Sequence, residues 1–283
     1  MVLQETPLKL PDIEDPIVAL AALEEEMKKR DYQDNPSLWV KEVLGEEIWS
    51  KQREILQSIQ QNRFTLVKSC HAIGKSFISA RAACWWISVW PPGTAFVVTS
   101  APSGPQIKAI LWREIGRAFM KGKLPGRVNQ TEWFLPVQGK EEIVALGRKP
   151  DDYSPASFQG IHARRVLVIF DESNGIRGPL HEAAFSLAVN NESKILQIGN
   201  PDVSEGEFYE NSKPGSNWHV ISISAFDSPN FTGEKLPSEI TSQLIGKIYV
   251  EEKRRKWAPT WRWSEDGSKC EPPEGGKIED TSP

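Results

Sequence analysis

The stretch that most constrains the fold is residues 66–77, where a predicted strand leads through a short loop into a helix-forming segment. The loop ends in Gly74-Lys75-Ser76, which matches the end of the phosphate-binding pattern G-x-x-x-x-G-K-[ST]. Gly74 lets the backbone approach a phosphate without a Cβ in the way, and the free N–H groups at a helix start attract anions. Lys75 can neutralise the β- and γ-phosphates of a nucleotide, and the Ser76 hydroxyl can ligate Mg²⁺. The stretch therefore predicts a buried strand, a nucleotide-binding loop and a helix that opens at Lys75.

The loop departs from the pattern at one position, because Ser69 stands where the first glycine is usual. A serine there can still donate to a phosphate, while a chance Gly-Lys-Ser at a helix start is the alternative. Cys70 lies close to the helix start, which favours a lowered pKa of its thiol. If Cys70 lines the nucleotide pocket, bound ATP should slow its alkylation. A buried, inert thiol is the alternative. The residues predicted to bind the nucleotide here are Ser69, Cys70, His71, Ala72, Ile73, Gly74, Lys75 and Ser76.

A second motif occupies residues 165–173, where five apolar residues precede Asp171 and Glu172. A continuous apolar run is typical of a parallel strand buried on both faces, and α/β sheets bind ligands at the carboxyl ends of their strands. Asp171 is predicted to hold Mg²⁺, largely through water. Glu172 is predicted to polarise the attacking water as general base, an effect of about 10²–10⁴ in rate. The alternative is an acidic pair in an exposed turn.

Composition narrows the class of protein. The chain has 283 residues, of which 39% are hydrophobic and 25% charged, and this predicts one large α/β domain with a smaller piece. The net charge is −4, so any contact with DNA has to come from local basic patches. Three cysteines without metal-ligand spacing favour a reduced, cytoplasmic setting. The sequence holds no apolar run near the ~20 residues of a membrane span, and we expect no membrane partner.

Two further polar residues are candidates because of their position relative to these motifs. Gln52 belongs to a Gln-Arg pair shortly before the loop, and its amide can pair with the donor and acceptor edges of adenine. A solvent-facing glutamine on an ordinary helix is the alternative. Asn200 follows a predicted strand over residues 194–199, so it can reach the γ-phosphate or its water; a common Asn-Pro turn is the alternative.

The rest of the chain is predicted from periodicity and turn signals. The predicted elements are helices over residues 17–30, 36–44 and 179–189, a hairpin over 131–146, a strand over 218–224 and one helix over 236–257.

The ordered set of motifs resembles the ATPase portion of the terminase large subunit of tailed bacteriophages, a DNA-packaging motor. The motifs are residues 49–54, SCHAIGKS, VTSAPS, SFQGIHARRVLVIFDES, QIGNP and SAFDSPN, and they cover most of residues 48–230. The resemblance implies an α/β, three-layer, RecA-like P-loop NTPase sandwich of the additional-strand, catalytic-glutamate type. Its central sheet would be mainly parallel, with a small lid-like subdomain towards the C-terminus.

The resemblance also implies the roles of individual residues. The implied assignments are Lys75 and Ser76 at the phosphates and Mg²⁺, Asp171 as the Walker B aspartate, Glu172 as catalytic base and Asn200 as coupling residue. The family works as a ring in which an arginine reaches the nucleotide of the neighbouring subunit. Arg148 is our candidate for this arginine, with Arg127 and Arg164 left open.

The cofactors and partners implied are ATP, Mg²⁺, double-stranded DNA, the terminase small subunit and the portal protein, in the cytoplasm of an infected or lysogenic bacterium. The expected domains are an N-terminal helical segment at 1–47 with a disordered start, the ATPase domain at 48–232, a lid or linker at 233–262 and a disordered tail at 263–283.

Family members continue into a nuclease domain with clustered acidic metal ligands. Here Glu265-Asp266 and Glu279-Asp280 stand in a polar tail, and we expect the nuclease domain to be absent and the chain not to cut DNA. Two other functions remain open. One is a helicase-like, nucleic-acid-dependent ATPase, and the other is a non-catalytic terminase remnant that acts as an assembly module.

Overall fold

An eight-stranded sheet forms the centre of the computed structural model, which describes residues 16–148, 163–176 and 178–273. The strands are β1 (Phe64–Ser69), β2 (Ala95–Ser100), β3 (Arg127–Val128), β4 (Glu132–Val137), β5 (Lys140–Arg148), β6 (Arg165–Asp171), β7 (Lys194–Gly199) and β8 (His219–Ile223). Their order in the sheet is β3-β4-β5-β2-β6-β7-β1-β8. The pairs from β5 to β8 are all parallel. Only β3 and β4 add antiparallel pairs, and β4 with β5 forms the predicted hairpin.

The helices cover the sheet and its edges. They are α1 (Pro16–Asp34), α2 (Pro36–Val43), α3 (Ser50–Gln61), α4 (Lys75–Ser88), α5 (Gly104–Gln106), α6 (Trp112–Lys121), α7 (Gly178–Leu187), α8 (Gly206–Asn211), α9 (Pro229–Thr232), α10 (Ser238–Thr241) and α11 (Lys247–Trp257), with a π-helical turn at Ile107–Leu111 before α6. Within the described ranges, every helix is too short or too polar to cross a lipid bilayer.

The strand β6 shows why the molecule has three layers. Successive side chains of a strand point to opposite faces of the sheet. Leu167 and Ile169 join the core that contains α4 and α6, whereas Val168 and Phe170 join the core beneath α7. All of these side chains are buried, as a strand covered on both faces requires. The predicted α/β class with a mainly parallel sheet is confirmed.

The strand β7 lies between β1 and β6. The parallel register sets Val67 beside Ile198, and Phe170 beside Gln197. Because the three strands run in the same direction, their carboxyl ends lie side by side at one edge of the sheet. An inserted strand at this position is the arrangement that the resemblance implied.

The N-terminal helices share the core of the main domain. Trp39 and Val40 on α2 are buried, and they pack in the same cluster as Trp85 and Ile78 of α4. The predicted boundary at residue 48 therefore separates segments that bury apolar side chains together. The expectation of disorder at residues 1–15 lies outside the described residues.

The C-terminal region differs from prediction at two places. The single helix predicted over residues 236–257 is wrong, because α10 ends at Thr241 and α11 begins after Gly246. The intervening Leu244 and Ile245 turn into the core and are buried. The backbone N–H of Ile245 then donates to the Ala72 carbonyl at 2.9 Å rather than continuing a helix.

Disorder predicted from residue 263 is also wrong for the part of this tail that the structure describes. Residues 262–271 form a small antiparallel hairpin of β9 (Arg262–Trp263) and β10 (Cys270–Glu271). Its anchor is Trp263, whose ring centroid lies 6.1 Å from that of Phe231 and whose Nε1 donates to Glu251 at 2.7 Å. Residues 274–283 lie outside the described ranges.

Candidate nucleotide-binding site

Three adjacent strand ends assemble the site. Strand β1 leads into the loop of residues 70–74, which we call loop 70–74, and α4 begins directly after it at Lys75. Strand β7 ends next to Asn200, and strand β6 ends with Asp171 followed by Glu172. Side chains that are far apart in sequence therefore meet at one edge of the sheet.

Lys75 is the centre of this cluster, and its side chain is only 7% exposed. Its Nζ donates to Oδ1 of Asn200 at 2.5 Å and lies 3.5 Å from Oε1 of Glu172. The amide Nδ2 of Asn200 lies 2.8 Å from Nε2 of His71. The positive charge of Lys75 is thus held between two residues that belong to separate sequence motifs, and His71 is an additional partner that orients Asn200.

Ser76 and Asp171 form the second contact of the site. The Ser76 hydroxyl donates to Oδ2 of Asp171 at 2.6 Å. Burial raises the pKa of Asp171 to about 6, although the Ser76 hydroxyl and Lys75 act in the opposite direction. The other carboxylate oxygen, Oδ1, is buried and has no hydrogen-bond partner among the described residues.

This pair fits a magnesium ion. A hydroxyl and a carboxylate with one unpartnered oxygen are oxygen ligands of the kind that Mg²⁺ prefers, and Mg²⁺ commonly takes one or two protein ligands together with water and phosphates. Across the described ranges no three His, Cys, Asp or Glu side chains group together to hold a metal. Asp171 and Ser76 would hold the ion, which supplies neutralisation of phosphate charge when bound.

Glu172 differs from Asp171 in conformation and exposure. Its backbone has φ 51° and ψ 50°, the left-handed region that costs a non-glycine residue roughly 1–2 kcal/mol. Its side chain is 36% exposed, whereas the residue Asp171 is only 3% exposed. Both Glu172 and Lys75 line a cavity of about 630 Å³. The turn after β6 therefore directs one carboxylate into the interior and the next into the cavity.

The predicted loop residues lie at different depths. His71, Ala72, Gly74, Lys75 and Ser76 line the cavity. In contrast, the side chains of Ser69 and Ile73 are buried at 1% exposure, and Ser69 Oγ has no hydrogen-bond partner among the described residues.

Gln52 is placed behind loop 70–74 and does not line this cavity. It is 3% exposed, and its amide Nε2 donates to the Ile73 carbonyl at 3.2 Å. Its Oε1 accepts from the backbone N–H of Trp49 at 3.4 Å. The alternative prediction, that Gln52 faces solvent, is therefore wrong.

The expectation for Cys70 is wrong in direction. Burial raises the pKa of the Cys70 thiol to about 11, and the nearby charge of Lys75 only partly offsets this effect. Cys70 is also not among the residues that line the cavity. Desolvation of a thiolate outweighs the influence of the helix start here.

The three candidate arginines have different surroundings. Arg127 and Arg164 are exposed and ion-paired with Glu141 at 2.7 Å and with Glu192 at 2.9 Å, respectively. Arg148 is the last residue of β5, and its Nε is buried without a hydrogen-bond partner among the described residues. The register aligns it with Ser100 of β2, which is itself aligned with Phe170 of β6, so Arg148 lies at the same sheet edge as Asp171.

Sequence reasoning missed a buried charge network on α4. Arg81 is 3% exposed and forms ion pairs with Glu46 at 2.8 Å and Glu114 at 3.0 Å. Its guanidinium also lies 3.5 Å from the centroid of the Phe77 ring. An arginine among small residues on a core helix was the available signal, but its partners come from distant segments that no local pattern identifies.

Known phage proteins are similar to this chain in sequence and in fold, although no protein-family model matches it. A probable terminase large subunit from Enterobacteria phage P7 is 24% identical in an alignment over 172 residues that covers 56% of this chain and 33% of that protein. The large terminase of a thermophilic bacteriophage superposes with a TM-score of 0.54 at 12% identity, over 75% of this chain and 51% of that chain. The chain resembles a large terminase subunit in both sequence and fold.

The resemblance predicted from the motifs is thereby confirmed. A second structure of the same thermophilic phage terminase, in complex with ADP, superposes with a TM-score of 0.53 at 13% identity, over 75% of this chain and 50% of that chain. This chain spans about one third of the length of the phage P7 relative and about half of the thermophilic phage terminase.

Proposed function

We propose that the chain is the ATPase motor part of a phage terminase large subunit, which couples ATP hydrolysis to translocation of double-stranded DNA into a procapsid. The observation that carries this proposal is the meeting of Lys75, Ser76, Asp171, Glu172 and Asn200 at the carboxyl ends of three adjacent strands. A cavity of about 630 Å³ opens at the same place. The sequence and fold resemblance to large terminases supports the same conclusion.

Each side chain has a chemical task that its position allows. Lys75 neutralises the β- and γ-phosphates from the start of α4. Ser76 and Asp171 would hold Mg²⁺. Glu172, whose carboxylate faces the cavity, accepts the proton of the attacking water as general base. Asn200 contacts Lys75 directly, so departure of the γ-phosphate changes the hydrogen bonding of Asn200 at the end of β7.

The Lys75 ammonium group contacts both Asn200 and Glu172. We expect a bound triphosphate to compete with these partners for Lys75, because phosphate oxygens form charge-assisted hydrogen bonds with an ammonium group. Glu172 is then released from Lys75 and becomes available to water.

The proposal includes assembly. The motor works as a homo-oligomeric ring in the cytoplasm of an infected bacterium, together with the small terminase subunit and the portal protein. Arg148 is proposed as the arginine that reaches the neighbouring subunit's nucleotide, a contribution of about 10³–10⁵ in turnover for such residues in other nucleotide hydrolases. Residues 48–232 are proposed as the ATPase domain and residues 233–262 as its lid.

The test is steady-state ATP hydrolysis by the purified chain, with and without duplex DNA. We expect Lys75→Ala and Glu172→Gln each to lower hydrolysis by at least about 10²-fold. The matched controls are Lys140→Ala and Glu142→Gln, which change exposed residues of the β4–β5 hairpin and should leave the rate unchanged. Stimulation by duplex DNA favours the motor.

Other outcomes would favour other functions. Hydrolysis that depends on single-stranded nucleic acid, together with strand separation, would favour a helicase-like ATPase. Nucleotide binding without turnover, even after addition of the small subunit and portal, would favour a non-catalytic assembly module. The absence of nuclease activity stays a prediction, and metal-dependent cutting of plasmid DNA by the chain would contradict it.

A further inference from the structure

Three donors hold two backbone carbonyls of loop 70–74. The N–H of Ile245 donates to the Ala72 carbonyl at 2.9 Å. The indole Nε1 of Trp49 and the amide Nε2 of Gln52 both donate to the Ile73 carbonyl, at 3.3 Å and 3.2 Å. Both side chains are buried, Trp49 at 0% and Gln52 at 3% exposure.

These contacts fix the direction of the N–H groups in the loop. In a planar trans peptide, the C=O of one residue and the N–H of the next point in opposite directions. The donor to the Ala72 carbonyl therefore directs the N–H group of Ile73 away from itself. The donors to the Ile73 carbonyl direct the N–H group of Gly74 away from themselves in the same way. Oriented N–H groups are what an anion-binding loop offers to phosphate.

The conformation that the donors hold is not one the chain adopts freely. Ala72 has φ 54° and Gly74 has φ 80°. The left-handed conformation of Ala72 costs roughly 1–2 kcal/mol, so an unsupported loop would relax from it. The loop therefore depends on the surrounding structure for its shape.

Both ends of the Gln52 amide are engaged within the protein, and Gln52 does not line the cavity. A Cβ added to Gly74 would lie 2.5 Å from its Nε2. Its other amide atom, Oε1, accepts from the Trp49 backbone. The lining of the cavity in front of the loop instead includes Phe77, Ile110 and Gln243.

We propose that Trp49 and Gln52 are positioning residues that hold loop 70–74 in its phosphate-binding form, and that Gln52 does not select the base. This inference rests on the proposed function, because it concerns nucleotide binding at the same site. It reassigns Gln52 from adenine recognition, as predicted from sequence, to support of the loop.

The experiment measures the affinity of the full chain for three ligands, Mg²⁺-ATP, Mg²⁺-GTP and Mg²⁺-tripolyphosphate, by titration calorimetry. Tripolyphosphate has no base, so it reports on the loop alone. Gln52→Met keeps the side-chain volume and removes the amide, and Trp49→Phe removes the indole N–H. Gln61→Met is the matched control, since Gln61 lies on the same helix and is exposed.

We expect Gln52→Met and Trp49→Phe each to lower the affinity for all three ligands by the same factor. The factor should be about three- to tenfold, as for loss of one hydrogen bond. The ratio of ATP to GTP affinity should not change. A thermal unfolding curve confirms that each variant is folded at the temperature of the titration. If one variant does not fold, the other still tests the proposal.

Two results would overturn the inference. The first is a loss of ATP affinity by Gln52→Met that clearly exceeds the loss for GTP and tripolyphosphate, because this shows a contact with adenine. The second is unchanged affinity for all three ligands in a folded variant. Failure of the wild-type chain to bind any of the three would instead reject the proposed function, and the inference with it.

Discussion

At the scale of single residues, the candidate site includes backbone conformations that few residue types adopt. Ala72 and Glu172 have φ values of 54° and 51°, and Gly74 has φ 80°. Strain of this kind persists only where the surrounding structure imposes it, and it clusters at functional sites. Here the loop donors impose it on Ala72, and the turn between β6 and α7 imposes it on Glu172.

Gly74 provides a direct test of this local packing. Gly74→Ala would place a methyl group 2.5 Å from the Gln52 amide in addition to straining φ. We expect nucleotide affinity to fall more than about tenfold and the free energy of unfolding to drop by about 2–3 kcal/mol. Titration calorimetry and urea unfolding measure the two effects.

The control is Gly139→Ala in the β4–β5 turn. Gly139 has a similar φ of 79°, but a Cβ there meets nothing within 4 Å. Gly139→Ala should lower the free energy of unfolding by only about 1 kcal/mol, the cost of the backbone strain alone, and the variant should bind nucleotide normally. Equal destabilisation by the two substitutions would contradict the collision with Gln52.

His181 gives a prediction about pH. Burial lowers the pKa of His181 to about 4, and the ring lies 2.8 Å from Gln197 Nε2 and packs on Phe170. The folded state keeps the ring neutral, whereas the unfolded chain takes up a proton below about pH 6.5. The contribution of the neutral His181 ring to the free energy of unfolding is therefore fully present above pH 6.5. It is lost as the pH falls towards 4, by up to about 3 kcal/mol.

The measurement is urea unfolding of wild type and His181→Gln between pH 7 and pH 4. A glutamine keeps a polar side chain but does not titrate in this range. We expect the variant to lose less stability than wild type over the window, whatever its stability at pH 7. Parallel pH profiles would show that His181 is not the titrating group.

At the scale of elements, α4 shows how one helix serves both the core and the site. Its first residues are Lys75 and Ser76, and its small residues, such as Ala80 and Ala83, are buried against the sheet. The same helix is tied to the segment before α3 and to α6 through Arg81. The position of Lys75 therefore depends on a charge network one to two turns along the helix.

Arg81→Met should be strongly destabilising, because it leaves Glu46 and Glu114 without their shared buried partner. Removing one partner of a buried ion pair typically costs about 3–5 kcal/mol. Arg117→Met is the control, since Arg117 pairs with the same Glu114 but is 61% exposed, and it should cost about 0–1 kcal/mol. Chemical denaturation compares the two, and similar losses would argue against the buried network.

At the scale of the whole molecule, the C-terminal region returns to loop 70–74 and to the start of α3. Ile245 contacts the loop through Ala72, and Glu234 reaches the first turn of α3. Glu234 accepts from the backbone N–H of Ser50 at 3.0 Å and pairs with Arg53 at 2.6 Å. A carboxylate at this end of a helix also interacts favourably with the helix dipole.

Glu234→Ala should lower the free energy of unfolding by about 1–2 kcal/mol, since it removes charged hydrogen bonds across the molecule. Glu239→Ala, on an exposed residue of α10, is the matched control and should change it by less than about 0.5 kcal/mol. Thermal and chemical unfolding give both values. No difference between the variants would mean that the contact is not formed in solution.

The sequence alone determined the elements that carry the chemistry. The apolar run before Asp171 predicted a buried strand because a strand covered on both faces needs apolar side chains at every position. Gly74-Lys75-Ser76 predicted the start of α4 because those residue types suit a phosphate-binding turn. These signals are local in the chain, so no knowledge of distant contacts was needed to interpret them.

Tertiary structure decided which distant residues meet. The position of β7 between β1 and β6 brings Asn200 to Lys75, and no local pattern specifies strand order. Tertiary packing also places the Gln52 amide against the Ile73 carbonyl and buries Arg81 between two carboxylates. It interrupts the helix predicted around Ile245, whose N–H donates to Ala72 instead. These outcomes depend on packing between segments far apart in sequence, where burial outweighs local preference.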